Sequence, residues 1–432
     1  MLFTSRSFNS LISLIFTLIA GRILTIEDHG TYTQVLARIV IAQAIAEAGL
    51  QLSLVRYMAP AFYENKKDEL LAIFRASLQI KFYSFLILLV LAFLGILSVI
   101  FSPALTERFG ENFLPDLSAH PDTILHIWLI FLGGFGMSIL SYLESILVSH
   151  EYFARLSIWL PSVGIIRLSL LALLALSGTE SIQSEHVLFA FAIGPYPAAA
   201  TFFLIFRNDI FRTRVKPEDW KPWIKKLSWY NAWILVASFM SIVSDWMEIH
   251  MIQNPGDRGI YSAARMPMQG FLILLSTMQS ILLPRFSGLK NKAEFKAVFK
   301  NIYKYIAILT VVLLPGAYVL SLFIPWWYGA RYHAAVGVFL LLYPNFLLRL
   351  FFAPLGTALY ALDQPRLIAA EAGLRMTSGF IFNYFLIQSM GVIGAALASL
   401  LSQFTGWGFL IYCYVFYFKK DRFPFHQKKL IE

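Results

Sequence analysis

Cysteine is almost missing from this chain of 432 residues, with Cys413 standing alone. No disulfide can form within the chain, and no cysteine-based metal cluster can assemble. Charge is scarce as well: Asp, Glu, Lys and Arg make up 14% of the residues, against about 25% in soluble domains. There is no Walker A sequence, which excludes ATP hydrolysis through that motif, and neither H-E-x-x-H nor G-x-S-x-G occurs. The eight histidines fall at no metal-ligand spacing. His250, close to Glu248, reads as interfacial. No metal and no cofactor is expected.

What the chain has in abundance is apolar sequence. It is 58% hydrophobic, with 39 Phe, 20 Tyr and 10 Trp, and its mean hydropathy is +0.66. A spanning helix needs about 20 mostly apolar residues. Roughly twelve such stretches can be drawn, at 8–24, 32–52, 82–101, 123–148, 156–176 and 186–206, then 229–252, 260–283, 302–325, 334–361, 367–388 and 392–418. The first ends without an A-x-A-like cleavage site and is read as a span, not as a signal peptide. Pro161, Pro195, Pro197, Pro315 and Pro344 fall at ends or candidate kinks, where a missing N–H is tolerated. The expected fold is all-α and polytopic.

The formal charge of +10 would suggest nucleic acid in a soluble protein. Here its placement makes it a topology signal. With the N-terminus cytoplasmic, the cytoplasmic segments hold roughly 27 of the 35 Lys and Arg, as the positive-inside rule requires. The richest are 207–226, 285–304 and the tail from Lys419; the opposite side has Arg22, Arg108, Arg258, Arg265 and Arg331. Both termini are then cytoplasmic, and no nucleic-acid partner is expected. The segment 65–81 reads as an amphipathic helix on the cytoplasmic membrane surface leading into the third span. Trp128, Trp229, Tyr230, Trp326 and Trp327, near span ends, read as interfacial anchors.

A repeat is visible. Asp28-His-Gly30-Thr-Tyr32 and Asp257-Arg-Gly259-Ile-Tyr261 share D-x-G-x-Y, 229 residues apart, and Arg56-Tyr57 matches Arg285-Phe286 in the same register. Each D-x-G-x-Y precedes an even-numbered span. A six-plus-six duplication follows, with parallel repeats and a substrate site between them. The expected domains are an N-lobe at 1–207, a basic cytoplasmic linker at 208–226 and a C-lobe at 227–432.

Several stretches carry a family resemblance: AGRILTIEDHGTY (20–32), GIYSAARMPMQGFLILLSTMQSILLPRFS (259–287), WWYGARYHAA (326–335), PLGTALYALDQP (354–365) and GVIGAALASLLSQ (391–403). In order and spacing they resemble the polysaccharide and O-antigen flippases of the multidrug/oligosaccharidyl-lipid/polysaccharide (MOP) exporter superfamily. That resemblance implies two pseudo-symmetric six-helix lobes around a central cavity that opens alternately to each face. It implies a lipid-linked oligosaccharide substrate of the undecaprenyl-pyrophosphate type, in a bacterial inner membrane. Twelve spans, not the fourteen usual in the lipid II flippases, favour O-antigen, capsule or exopolysaccharide. A polymerase or synthase of the pathway is a candidate partner, with membrane lipids as surroundings. A multidrug extruder of the same superfamily is the first alternative, though cationic drugs favour acidic cavities. A membrane polymerase or ligase is the second, and the longest external loop, 102–122, is short and poor in candidate catalytic groups. The chain is expected not to be an enzyme.

Charges inside spans usually face a cavity or a partner. Gln43, Glu47 and Gln51 recur at i, i+4 and i+8 in the second span, which puts them on one helix face. Asn231, Ser238, Ser241, Asp245 and Glu248 form a stripe in the seventh, and Arg265, Gln269, Ser276 and Ser280 one in the eighth. The first span carries Ser10, Ser13 and Thr17 before Arg22. In the resembled family these four spans line the cavity. A diphosphate suits the fixed forked cation of arginine, so the substrate candidates are Arg22, Arg38 and Arg265, with Gln43 and Gln269; Arg265 is carried over from the family's eighth-span arginine. Arg167 and Arg349 could bind substrate, snorkel or pair. The plainer reading of Arg265 is an ion pair with Asp245, both lying roughly 10 Å into the membrane. Glu47, Glu144, Asp245 and Glu248 are candidates for proton or sodium coupling, or for helix–helix pairing.

The topology is checked by cysteine labelling in a chain lacking Cys413. Single cysteines within 212–226 should label only once the cytoplasmic face is opened. Labelling from outside would overturn the assignment.

Overall fold

The structure, a computed structural model, describes residues 2–109, 122–150, 152–176, 183–210, 217–287, 292–361 and 364–419. Its described residues are nearly all helical and include no strand. In chain order the helices are α1 (Leu2–Ile23), α2 (Ile26–Glu47), α3 (Leu50–Tyr63), α4 (Lys67–Phe109), α5 (Thr123–Ser149), α6 (Phe153–Leu176) and α7 (Ser184–Ile193). They continue with α8 (Pro195–Ile210), α9 (Pro217–Met251), α10 (Pro255–Ser287), α11 (Lys292–Leu313), α12 (Gly316–Tyr328), α13 (Ala334–Ala361) and α14 (Pro365–Lys419).

Each apolar stretch drawn from the sequence lies in helix, but several are broken or joined. The second expected span is α2 and α3, separated by Ala48 (φ 51°) and Gly49 (φ 69°). Gln43 and Glu47 therefore end one helix and Gln51 begins another, so the regular i, i+4, i+8 face does not persist. The ninth is α11 and α12, bent by 45° next to Pro315. The eleventh and twelfth run together in α14, broken only at Gly391 (φ 57°). Among the described residues five helices are long and apolar enough to cross a membrane, or six if the bent pair counts as one span. The segment expected on the membrane surface is the first part of α4, and its Ala72, Ile73, Phe74, Ala76, Ser77 and Lys81 are buried. One face of this segment is thus packed against protein.

The chain divides into two compact units: 1–16 with 32–235, and 17–31 with 236–432. In the first, Leu50, Leu54, Ile73, Leu143, Leu147, Leu156 and Phe202 form the core. Trp159 joins it and donates its indole N–H to the Ala198 carbonyl at 2.8 Å. In the second, Tyr261, Tyr332, Phe339, Tyr343 and Leu350 are buried, and Ala395, Ala396 and Ala398 are fully so; such small side chains let helix backbones approach closely. Phe93 and Leu94 of α4 and Val311 and Val312 of α11 are more than half exposed. Apolar residues turned outward in this way suit a hydrocarbon solvent.

The two D-x-G-x-Y motifs meet. Thr25 Oγ1 accepts from the Asp28 N–H at 3.1 Å to cap α2; 229 positions on, Asn254 Oδ1 accepts from the Gly256 N–H at 2.8 Å to cap α10. Side chains of these types satisfy the donors a helix start leaves free. A Cβ on Gly30 would collide with the Pro255 carbonyl, and one on Gly259 with the Ile26 carbonyl. Pro255 stands to Gly259 as Ile26 stands to Gly30, so the contact is reciprocal within the second unit. The glycines are there for close backbone approach, since φ is ordinary at both.

Gly30→Ala and Gly259→Ala should each lower stability by roughly 1–3 kcal/mol, the usual cost of overpacking. Thermal unfolding of the purified chain reads this. Gly337→Ala, where an added methyl meets nothing within 4 Å, should not lower the midpoint and, through helix propensity, should raise it slightly.

Candidate functional site

Within the second unit, four helices gather charged and polar residues in pairs about one turn apart, and Asp245, Tyr261, Arg265, Asn345, Arg349 and Ser399 of these line one cavity. Asp245 and Glu248 come from α9, Tyr261 and Arg265 from α10, and Asn345 and Arg349 from α13. The helix α14 supplies Glu371 with Arg375, and beyond its break Ser399 with Gln403. Spacings of three and four put each pair on one helix face. The cavity has a volume of about 160 Å³, and Met268, Leu342 and Phe346 form its apolar wall.

The Asp245 carboxylate is the centre. One oxygen accepts from Arg375 Nη1 at 2.8 Å and also from Arg349 Nη2. Arg375 Nε lies 3.5 Å from Glu371. The Gln403 amide oxygen, in the orientation that satisfies its neighbours, accepts from Arg375 and from Arg349 at 2.8 Å each. Three arginines thus stand among three carboxylates, Asp245, Glu248 and Glu371. Ser399 ties the opposite wall: Asn345 Nδ2 donates to its hydroxyl at 3.1 Å, and it hydrogen-bonds with Glu248 and Tyr261.

Arg265 is held differently from its neighbours. Its Nη1 donates to the Asp245 backbone carbonyl, and its guanidinium lies over the Trp246 ring, 4.4 Å from the centroid. The plain Arg265–Asp245 ion pair expected from depth is therefore not what forms; Arg349 and Arg375 take the carboxylate. Arg265 reaches the cavity with its charge oriented by a carbonyl dipole and an aromatic face.

The structure gathers some sequence candidates and separates others. Asp245, Glu248, Arg265 and Arg349 share the site. The Gln269 side chain lies outside the described residues. Arg22 is exposed and does not line the cavity. It donates to the Trp327 carbonyl at 3.1 Å, where α12 ends, while Arg331 donates to the Arg22 and Leu24 carbonyls at 3.0 and 2.8 Å, where α1 ends. Arg22 thus caps the end of α12, and Arg331, in the 3₁₀ turn after α12, caps the end of α1. Arg38, in the first unit, is exposed. In that unit Arg167 is buried, donating to the Phe191 carbonyl at 3.2 Å and stacked 3.8 Å over its ring. Gln43 and Ser141 hydrogen-bond to Glu47, with Glu144 within electrostatic reach. Sequence reasoning passed over Glu371, Arg375 and Gln403. For Glu371 and Arg375 the signal was present: ionisable residues inside an apolar span, four apart.

This is the fold of a polytopic membrane transporter. It superposes on an inward-facing multidrug resistance MATE family transporter of the MOP superfamily with a TM-score of 0.66 at 12% identity, covering 95% of this chain and 96% of that one. The lipid II flippase MurJ, in an inward closed conformation, gives 0.60 at 17% identity over 97% and 89%. In sequence, a probable low-salt glycan biosynthesis flippase, Agl15, of Haloferax volcanii is 24% identical over 180 residues, or 40% of this chain and 38% of that protein. An uncharacterised membrane protein of Methanocaldococcus jannaschii is 21% identical over 402 residues, 89% of this chain and 77% of its own length. Residues 1–290 match the family described as polysaccharide biosynthesis protein. The chain belongs to that family.

Removing the central carboxylate leaves two arginines short of a partner. Asp245→Ala should therefore cost roughly 3 kcal/mol, and Asp245→Asn less, because its oxygen still accepts. The thermal midpoint of the purified chain measures both.

Proposed function

We propose that this chain is a flippase. On this reading it carries a lipid-linked oligosaccharide, of undecaprenyl-pyrophosphate type, from the cytoplasmic to the outer leaflet of a bacterial inner membrane by alternating access. It serves O-antigen, capsule or exopolysaccharide assembly, with both termini cytoplasmic, two six-span lobes at 1–207 and 227–432, and a pathway polymerase or synthase as candidate partner. The family match and the glycan flippase among its relatives support a glycan cargo.

The observation that carries the reading is Arg265. Its forked cation enters the cavity held by a carbonyl and an indole, beside Arg349. A diphosphate accepts from such forks through several oxygens at once. At about 160 Å³ the cavity is smaller than the roughly 300–1,000 Å³ of sites for drug-sized ligands. It suits a phosphate head group whose glycan and lipid lie elsewhere. The second reading, a drug extruder, draws on the MATE likeness, and the two lining arginines oppose a cationic drug.

The test is mass spectrometry of lipid-linked glycans in a strain lacking the gene and complemented by variants, with protein abundance measured alongside. The deletion should accumulate lipid-linked glycan without losing drug resistance. Arg265→Ala should be as abundant as the parent yet at least tenfold less active, a difference of about 1.4 kcal/mol; Arg265→Lys should retain part of the activity, since it keeps charge without the fork. Normal flux with Arg265→Ala, or in a chain carrying Asp245→Ala as well, would remove Arg265 from the substrate site.

A further inference from the structure

The first unit contains a second ionic centre, built around a helix break and not around arginines. In an uninterrupted helix the Ala46 carbonyl would accept from the residue 50 N–H. Here α2 stops at Glu47, and Ala48 and Gly49 take positive φ. The freed carbonyl accepts instead from Lys81 Nζ at 2.9 Å and from Ser84 Oγ at 2.8 Å. Lys81 also donates to the Ser138 carbonyl at 3.0 Å and to the Ser138 hydroxyl. Its side chain is buried, in an α4 otherwise dominated by apolar residues. Tyr142 closes one side, its ring centroid 5.9 Å from the ammonium.

An ammonium has three protons to give, and these three oxygens take them. None is left for an incoming anion, so Lys81 is no substrate-binding cation. The acceptors are the Ala46 carbonyl freed by the α2 break and the carbonyl and hydroxyl of Ser138 in the continuous α5. They lie beside Glu47, whose own carboxylate is held by Ser141 and Gln43. An unwound carbonyl with further oxygens and a neighbouring carboxylate is a setting in which membrane transporters hold a small monovalent cation. In this chain a charged side chain fills that place.

We infer that the Lys81 ammonium is a tethered cation occupying a monovalent-cation site of the first unit, which would take sodium only if Lys81 were truncated. The break in α2 is then held open, and the Glu47 charge balanced, without a free ion. This assignment stands on the geometry around Lys81 alone and is independent of the substrate proposed for the second unit.

The experiment is thermal unfolding of the full purified chain in detergent, comparing sodium chloride with choline chloride at equal ionic strength, choline being too large for the site. The parent midpoint should be the same in both salts. Lys81→Ala should unfold earlier in choline and recover by roughly 3–6 °C in saturating sodium. A folded Lys81→Ala with equal midpoints in the two salts overturns the inference, as does an equal sodium response in the parent. If Lys81→Ala does not fold in either salt, Glu47→Gln is added to it, removing both charges. Recovery of folded protein with no sodium response supports the tethered cation; failure to recover any overturns it.

Discussion

Asp245 sits between two arginines, and the second unit is arranged around that carboxylate. In a hydrocarbon solvent a charge has no water to fall back on and must find its counter-charge and its hydrogen bonds within the protein. Arg349 brings α13 to the carboxylate and Arg375 brings α14, while Gln403, on the far side of the α14 break, bridges both guanidinium groups. Remove the carboxylate and two helices lose a common point of attachment. The buried alanines Ala395, Ala396 and Ala398 supply close packing, but apolar contact alone gives little reason for one register over another where the solvent is equally apolar. The ion pairs supply that reason.

The same constraint governs backbone. Wherever a helix stops or bends, carbonyls are released, and in each case below a side chain meets them. Lys81 and Ser84 cover Ala46 at the α2–α3 break. Tyr343 donates its hydroxyl to Leu313 at 2.6 Å, where α11 bends into α12. Arg22 meets Trp327 at the end of α12. A break can therefore persist as a stable feature of the fold, because its polar atoms are supplied with partners from another helix.

Much of this was legible in the sequence, for identifiable reasons. The apolar stretches are long and uninterrupted, so they declared themselves as helices. The D-x-G-x-Y repeat marked two places needing a cap and a small residue, and the reciprocal Gly30–Gly259 contact is the physical content of that pattern. Asp245, Glu248, Arg265 and Arg349 stood out as charges in apolar surroundings. What escaped was pairing. Depth along a helix matched Asp245 to Arg265, whereas angular position and side-chain reach gave its carboxylate to Arg349 and Arg375. Arg22, at a span end, has exposed carbonyls within reach and is drawn to them. The α2–α3 break was hidden because Ala48 and Gly49 are ordinary residues of an apolar span, and the signal for it lay in Lys81, far along the chain.

The balance of charge in the second unit bears on release as much as on binding. Three arginines alone would hold an anion tightly and would be costly to keep in an empty cavity. With Asp245, Glu248 and Glu371 present the cluster is formally neutral when empty. On the proposed reading, a diphosphate entering beside Arg265 would compete with Asp245 for Arg349, and the carboxylate would reclaim that arginine as the anion leaves. A carrier needs a site attractive enough to fill and weak enough to empty. On that same reading, an arginine shared between a resident carboxylate and a passing phosphate meets both demands. Arg349 bonds the Asp245 carboxylate directly, whereas Arg265 bonds the Asp245 backbone carbonyl and stacks on Trp246, with the Asp245 and Glu248 carboxylates only within electrostatic reach.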